Sequence, residues 1–389
     1  MKIYFLAYNI YGMGGTVRTI ANTANCLASQ NYNVEIISMR RTSQEPLFSI
    51  DKRVKITPLV DARKGRFYSK KRSIFTKGIK KILNNLPSVL IHRTEDLYPM
   101  FSLFTDLKLV FSLKKIKHGL LVTTIPSFNI LSARLVSKNV YKIGQEHKSF
   151  NVHSDSLKRK IVKYYPKLNA LTCLTEYEKS VYKQRVNCNK LKIYKIGNGT
   201  KIPHESAKLN EKTIIAAGRY VNEKGFDYLI ESFIEVLKFH PDWKLKIFGS
   251  GKEEQNLRSM IFNAHAYNNI FLIPTTNNIL KEMLNSSFYV LSSRNESFGM
   301  VIIEAMSVGV PCISFNCSGP VEIIKDKVDG IIVEKENVTQ LTQAMLKLIE
   351  NVDLRKELGK NAKRNVKRFS LEDIGEKWDI LLKESEVFK

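Results

Sequence analysis

The stretch TIIAAGRYVNEKGF, residues 213–226, decides the fold because it reads as a strand, a turn and the start of a helix. Its first five residues form a short apolar run, which indicates a buried strand. Gly218 and Gly225 enclose a polar turn, and a helical pattern begins at Phe226. The stretch FYVLSSRNESFGMVIIE, residues 288–304, passes in the same way from a strand through a loop with a glycine into a helix. Strands that alternate with helices are typical of parallel sheets covered by helices.

The same alternation extends outward from these two stretches over the whole chain. Further apolar runs of strand length occur at Lys2–Tyr8, Val34–Met39, Leu120–Thr124, Ala170–Leu174, Lys192–Ile196, Leu245–Phe248, Ile270–Ile273, Cys312–Phe315 and Gly330–Val333. Helical patterns lie between them, for example at Thr16–Ser29, Phe226–Phe239, Glu253–Ala264 and Val301–Val308. We therefore predict an α/β protein with two Rossmann-like, doubly wound domains that face a central cleft.

The length of 389 residues exceeds the size at which a single hydrophobic core stops growing, so two domains are expected. The polar stretch 198–212 contains a glycine and a proline and shows no periodicity, which predicts an interdomain linker. We assign residues 1–197 to an N-terminal domain and 213–370 to a C-terminal domain. A final helix is predicted over 371–389, with Ser370 as its N-cap.

Charge is divided unequally between the two halves of the chain. Residues 1–200 carry 36 basic and 11 acidic residues, whereas residues 201–389 carry 26 of each, so the net charge of +25 lies entirely in the first half. Such asymmetry predicts an anionic partner for the first half, and a solvated, solubilising surface is the alternative. The five scattered cysteines indicate neither zinc nor a disulfide framework. We expect a cytoplasmic protein without a membrane span.

Three places along the chain could carry chemistry. Gly12–Arg18 follows the first strand and would begin a helix whose free N–H groups attract phosphate, although Val17 occupies the third glycine position of a dinucleotide fingerprint. Arg219 and Lys224 could direct two cations at one diphosphate across a strand-to-helix turn. Glu296 and Glu304 could accept hydrogen bonds from sugar and ribose hydroxyls. From spacing alone, a plain turn and solvated surface charges remain open.

These residues resemble the retaining glycosyltransferases of family 4, which share the GT-B fold. The resemblance rests on two glutamates, Glu296 and Glu304, with seven residues between them, and on the G-R-x4-K-G stretch from Gly218 to Gly225. It continues through Gly309-Val310-Pro311, Gly319-Pro320-Val321-Glu322 and Asp329-Gly330. The glycine loop Gly14–Arg18 is most similar to that of Gram-positive enzymes acting on cell-wall polymers such as teichoic acid.

The resemblance implies a UDP-sugar as donor and a role for each matching residue. Arg219 and Lys224 would hold the diphosphate with the backbone of Gly15, Glu304 the ribose, and Glu296 the transferred sugar. Arg219, Lys224, Glu296 and His147, an N-domain histidine, would form the catalytic set. The donor-binding residues implied are Gly15, Gly218, Arg219, Lys224, Gly249, Glu296, Phe298, Gly299, Met300 and Glu304. The loop Pro274–Asn278 lacks the glycine usual in the family, which weakens the assignment of the base.

No D-x-D motif occurs in the sequence, so we predict transfer without a metal or another cofactor. Arg219 and Lys224 would then offset the charge that grows on the leaving diphosphate. Retention, implied by the family, would follow from attack on the face that the diphosphate leaves.

The segment Arg63–Lys81 predicts an acceptor or membrane surface. It holds nine basic residues and no acid, and apolar residues recur at helical spacing from Phe75 onward. Such a helix can lie on the anionic inner face of the plasma membrane or bind a polyanion, and an ordinary solvated helix is the alternative. Candidate acceptor-binding residues are Arg18, Arg63, Lys64, Arg66, Lys70, Lys71 and Arg72. We predict an anionic acceptor, either a teichoic-acid-like polymer or a lipid-linked precursor.

Three other functions stay open at this point. A sugar-nucleotide epimerase of the same architecture would need more acid-base groups than Glu146 and His147. A nucleic-acid-binding protein would fit the basic isoelectric point, but no binding motif is present and the second half is neutral. A non-catalytic subunit would have lost the site residues, which are all present. Neither the sugar transferred nor the linkage follows from the sequence.

Overall fold

A computed structural model describes residues 1–63 and 74–386 of the chain. The chain forms two compact units: one comprises Met1–Gly197 together with the chain from Ile374 onward, and the other comprises Asn198–Asp373. Residues 198–212, predicted as a linker, belong to the second unit.

Each unit is built on one parallel sheet. In the described residues the first sheet has the strand order β3-β2-β1-β4-β5-β6-β7 and the second the order β10-β9-β8-β11-β12-β13. The first sheet consists of β1 (Lys2–Ala7), β2 (Asn33–Arg41), β3 (Lys55–Asp61), β4 (Gly119–Thr123), β5 (Val140–Gln145), β6 (Ala170–Cys173) and β7 (Lys192–Lys195). The second consists of β8 (Thr213–Ala217), β9 (Lys244–Phe248), β10 (Ile270–Ile273), β11 (Phe288–Leu291), β12 (Cys312–Phe315) and β13 (Gly330–Val333). The predicted pair of Rossmann-like domains is confirmed.

Helices connect the strands within each unit. The first unit contains α1 (Gly15–Ser29), α2 (Ile74–Asn85), α3 (Leu103–Lys115), α4 (Pro126–Leu135), α5 (Asp155–Tyr164) and α6 (Glu176–Val186). The second contains α7 (Phe226–Leu237), α8 (Glu254–Asn263), α9 (Ile279–Leu284), α10 (Met300–Ser307), α11 (Pro320–Ile323), α12 (Val338–Glu350) and α13 (Val352–Asn365). The last helix, α14 (Leu371–Glu386), begins in the second unit and continues into the first.

The part of α14 that belongs to the first unit is tied into its core. Trp378 is buried and its ring meets that of Phe5 on β1 edge-on, with centroids 6.2 Å apart. The hydroxyl of Tyr32 donates to Asp379 at 2.7 Å, which fixes the same helix to the loop before β2. Because a buried tryptophan contributes about 3–5 kcal/mol when compared with alanine, this helix is an integral part of the first unit.

Candidate functional site

The site in the second unit begins where β8 and β9 end side by side. The amide of Gly218 donates to the carbonyl of Phe248 at 2.9 Å, and this brings the backbone of Gly249 against Gly218. A Cβ atom at Gly249 would lie 2.0 Å from the carbonyl oxygen of Gly218, so no side chain fits there. The glycine at 249 therefore keeps the carboxyl edge of the sheet, where ligands bind in this architecture, free of side-chain bulk.

The turn after β8 places Lys224 at this edge. Gly225 has φ +59°, and a Cβ atom there would lie 2.0 Å from the carbonyl oxygen of Ser292, so a glycine is required. The hydroxyl of Ser292 donates to the carbonyl of Lys224 at 3.2 Å. The Lys224 side chain passes Gly218, and its ammonium group forms an ion pair with Glu296 at 2.5 Å. Two residues that the sequence predicted for one site are thus in direct contact.

The loop that carries Glu296 is held from both sides. The guanidinium group of Arg294 binds both carboxylate oxygens of Asp227 on α7, at 2.9 and 2.5 Å, and its centre lies 4.2 Å from the ring centroid of Tyr228. The hydrogen bond to Asp227 raises the pKa of Arg294, so the guanidinium group stays charged at every accessible pH. The amide of Gly319 donates to the carbonyl of Glu296 at 3.0 Å.

Phe298 and Gly299 form the entrance to α10. A Cβ atom at Gly319 would lie 2.4 Å from the backbone of Phe298, so this glycine allows two loops to touch. Gly299 has φ +103° and precedes Met300, the first residue of the helix, where N–H groups have no partner within the helix. Glu304 lies one turn further along the helix and is only 4% exposed.

Arg219, the second predicted cation, forms no ion pair in the described part of the chain, unlike Lys224. It is exposed, and its side chain forms no hydrogen bond or ion pair within the described residues. The structure therefore brings Lys224 and Glu296 together and leaves Arg219 facing solvent beside Gly218. A free cation at the same strand end remains available to an anionic ligand.

The predicted glycine loop of the first unit leads into α1. Gly14 has φ +146° and is the N-cap of α1, and the amide groups of the first turn have no partner within the helix. Arg18, a predicted acceptor-binding residue, is half-buried, and its guanidinium group lies 4.7 Å from the ring centroid of Phe48. Burial lowers the pKa of Arg18 from its usual value.

His147 follows β5 in a cluster of ionisable groups that the sequence analysis did not assemble. Its Nε2 atom is buried without a hydrogen-bond partner. Burial lowers the pKa of His147 to about 4, against the opposing effect of the adjacent Glu146 carboxylate, so the ring is neutral near pH 7. The Glu146 carboxylate is itself buried and accepts hydrogen bonds from Tyr165 and from Asn129.

Two further ionisable residues belong to this cluster. The Nε2 atom of His153 lies 3.8 Å from Glu146, and Glu95 accepts a hydrogen bond from the amide of Ser127 at 2.7 Å. Burial raises the pKa of the Glu95 carboxyl. The sequence shows only that Glu146 and His147 are neighbours in the chain, because the other members of the cluster come from distant segments.

The predicted basic segment lies mostly outside the described residues, which exclude Lys64, Arg66, Lys70, Lys71 and Arg72. Arg63 is described, and its guanidinium group forms an ion pair with Asp61 at 2.6 Å. The helix predicted after it is present as α2. Several of its apolar residues are exposed, including Ile79 at 44% and Ile82 at 63%.

The described part of the chain contains neither a metal-binding cluster nor a helix that could span a membrane. Within residues 1–63 and 74–386, no group of three or more histidine, cysteine, aspartate or glutamate side chains could hold a metal ion. No helix in these ranges is long and apolar enough to cross a membrane.

Two parallel sheets of this order, with glycine-bordered strand ends and helix N-termini at the carboxyl edge, are the architecture of the GT-B fold. The solved structure of a Staphylococcus aureus TarM mutant, in complex with fondaparinux, α-GlcNAc-glycerol and UDP, matches with a TM-score of 0.77 and 18% identity and covers 98% of this chain and 99% of that one. The model of the family "Glycosyl transferases group 1" matches residues 199–365.

Curated relatives agree with this class. An uncharacterised glycosyltransferase of Haemophilus influenzae is 32% identical over 98% of this chain and 99% of its own length. A poly(ribitol-phosphate) α-N-acetylglucosaminyltransferase of Staphylococcus aureus is 29% identical over 62% of this chain and 50% of its own length. The chain belongs to the group 1 glycosyltransferase family.

Proposed function

We propose that this glycosyltransferase moves a hexose or N-acetylhexosamine from a UDP-sugar to an anionic cell-envelope acceptor, with retention of configuration and without a metal. The observation that carries the donor half of the proposal is the ion pair between Lys224 and Glu296 at the end of β8. It sets a cation for the diphosphate directly beside an acid for the sugar. A solved GT-B neighbour in complex with UDP supports the same nucleotide.

In this proposal each part of the second unit has one task. Lys224 and the exposed Arg219 bind the diphosphate, and they stabilise the negative charge that develops on it as the glycosidic bond breaks. Glu304, buried on α10, accepts hydrogen bonds from the ribose hydroxyls. Glu296 and the backbone of Phe298, Gly299 and Met300 bind the transferred sugar. The strand-end glycines Gly218 and Gly249 leave room for the nucleotide.

In the first unit, the amide of Gly15 assists with the diphosphate and His147 contacts the sugar. A neutral imidazole suits this contact, because it can share a hydrogen bond with a hydroxyl without adding charge next to an oxocarbenium-like carbon. The acceptor hydroxyl attacks on the face that the diphosphate leaves, as in the retaining enzymes of family 4. Isolation of a covalent glycosyl-enzyme adduct would contradict this step.

The acceptor half of the proposal rests on charge. The net charge of +25 lies in the first half of the chain, and a relative that transfers N-acetylglucosamine to poly(ribitol phosphate) acts on a polyanion. A positively charged surface would attract a teichoic-acid-like polymer or a lipid-linked phosphate precursor by long-range electrostatics. Arg18, Arg63 and the basic residues between Lys64 and Arg72 are the predicted contacts.

Peripheral contact with the inner face of an anionic membrane is the second part of the acceptor proposal. We define the α2–α3 surface by Ile79 and Ile82 on α2 and Leu107 and Phe111 on α3, which are 41–64% exposed. Lys80 and Lys108 lie on the same two helices, within 5.3 and 5.8 Å of the ring centroid of Phe104. Apolar side chains flanked by lysines are typical of surfaces that rest on anionic lipid.

One experiment tests the proposed reaction. Release of free UDP is measured for a panel of UDP-sugars, with and without poly(glycerol phosphate), in buffer that contains EDTA. We expect one UDP-sugar to give acceptor-dependent release in EDTA. Absence of UDP release from every UDP-sugar, with and without EDTA, would overturn the donor, and release that is lost only in EDTA would overturn the metal-free mechanism.

A further inference from the structure

A basic groove in the first unit is lined by none of the residues assigned a role above. It has a volume of about 570 Å³ and is formed by α5, by α6 and by the loop after β5. Four cations line it, Lys158, Arg159 and Lys163 from α5 and Arg185 from α6, together with the single carboxylate of Asp155. The loop after β5 also carries His147, so the groove adjoins a segment of the proposed site.

The positive charge of the groove is largely uncompensated. Asp155 forms an ion pair with Lys158 at 3.4 Å, and among the described residues Arg159, Lys163 and Arg185 form none. The nearby carboxylate of Glu178 is buried and accepts a hydrogen bond from the amide of Phe150 at 3.0 Å, so it is directed inward. Three cations thus share one concavity without an acid of their own.

Lys163, which lines the groove, also belongs to a second basic cluster. Arg134, Lys163 and Lys167 lie around the ring of Tyr164, at 5.2, 5.5 and 5.6 Å from its centroid. Each contact with the ring is favourable by itself, but three like charges at one ring repel one another. A bound anion would relieve this repulsion, and Lys163, which belongs to both sets of residues, connects this cluster to the groove.

We propose that this groove binds successive phosphodiester groups of the polymeric acceptor through residues that take no part in sugar transfer; the inference rests on the proposed anionic acceptor. Arg159 and Lys163 are four residues apart on α5, so they lie about 6 Å apart along the helix axis. Cations on consecutive turns suit a row of phosphates better than a single one. A linear chain can enter a concave groove, whereas a flat lipid surface reaches only its rim.

Binding here selects for chain length. A long acceptor occupies the groove and the transfer site together, so the second contact adds to the first through a high effective concentration. A single repeating unit fills the transfer site only and gains nothing from the groove. The groove therefore acts on the KM for long acceptors and leaves the chemistry of transfer unchanged.

The test uses the full chain and the double variant Arg159→Gln/Arg185→Gln. A matched control, Lys52→Gln/Lys138→Gln, removes the same charge from exposed positions of the same unit. Affinity for fluorescently labelled poly(glycerol phosphate) is measured by anisotropy, and KM and kcat are measured with that polymer and with glycerol phosphate. Binding to vesicles of phosphatidylglycerol and phosphatidylcholine in equal parts is measured by sedimentation. A melting temperature confirms that each variant is folded.

We expect the groove variant to weaken polymer binding and raise the polymer KM about tenfold, equivalent to about 1.4 kcal/mol, with kcat, the glycerol phosphate KM and vesicle binding unchanged. The control variant should resemble wild type. Equal losses in both variants, unchanged polymer affinity in the groove variant, or a loss confined to vesicles would each overturn the inference. If wild type transfers sugar only to neutral acceptors but still binds the polymer through the groove, the groove is supported and the proposed acceptor is wrong. Failure of the groove and failure of the proposed acceptor are therefore distinguishable.

Discussion

The ammonium group of Lys224 and the carboxylate of Glu296 are 2.5 Å apart, although 72 positions separate them in the chain. Their side chains are only 23% and 16% exposed, so solvent screens the pair less than a surface ion pair. A cation that is already neutralised by Glu296 must share its charge when a diphosphate binds. In our proposal the diphosphate of the donor binds Lys224, and Glu296 then accepts hydrogen bonds from the hydroxyls of the donor sugar.

The two glutamates should affect different steps. We expect Glu304→Gln to weaken UDP binding about tenfold, because it would lose a charge-assisted hydrogen bond to ribose. Glu296→Gln should lower kcat with little change in UDP affinity, since its partner is the sugar. Calorimetry with UDP and the rate of UDP release separate the effects, with the exposed Glu357→Gln as control. A loss of UDP affinity only in Glu296→Gln would reverse the assignment.

His147 should make the stability of the protein depend on pH. Its pKa is about 4 in the folded chain, against about 6.5 for an unperturbed histidine. Stability from the neutral ring is therefore complete above about pH 6.5 and is lost as the pH falls towards 4, by about 3 kcal/mol at that point. Urea unfolding from pH 7 to pH 4 should show this loss in wild type and not in His147→Gln. The exposed His118→Gln should follow wild type, and an identical pH profile for His147→Gln would refute the prediction.

Gly319 should not tolerate a side chain. In Gly319→Ala the new Cβ atom would lie 2.4 Å from the backbone of Phe298, so the loop before α10 must move. We expect a loss of about 1–3 kcal/mol in the free energy of unfolding and a higher KM for the donor. Gly78→Ala on α2 is the control, because its Cβ atom would meet nothing within 4 Å. Wild-type kinetics for Gly319→Ala would show that this contact does not shape the donor site.

The α2–α3 surface should bind anionic vesicles. We expect the double variant Ile82→Asn/Phe111→Asn to lose most of its cosedimentation with phosphatidylglycerol vesicles, because both side chains are more than 60% exposed and available to lipid. Phe239→Asn, which removes an equally exposed aromatic ring from the second unit, should bind as wild type does. Equal binding by all three proteins would argue against membrane contact through this surface.

The sequence predicted most of the fold because buried parallel strands appear as short apolar runs. The runs at 213–217, 288–291 and 312–315 coincide with β8, β11 and β12. Strands β3 and β5 do not appear as apolar runs in the sequence, for different reasons. Pro58 and charged ends disguise β3 at the sheet edge, whereas β5 buries Lys142 and Gln145, polar residues that do not resemble a buried strand.

The site was predictable only in part. The glycines at 218, 225 and 299 and the spacing of the glutamates predicted where the strands end and the helices begin. The bidentate contact of Arg294 with Asp227 was not, because it joins residues 67 positions apart by side-chain geometry alone. The buried cluster of Glu146, His153 and Glu95 was missed for the same reason. Long-range contacts of this kind depend on the packing of the folded chain.

Calorimetry of UDP binding in EDTA, with wild type and with Lys224→Ala, shows whether Lys224 holds the diphosphate of the donor. We expect wild type to bind UDP in EDTA and Lys224→Ala to bind it at least tenfold more weakly, a loss of about 1.4 kcal/mol, while the exposed Lys252→Ala binds as wild type does. Binding by Lys224→Ala equal to that of wild type would contradict this role of Lys224.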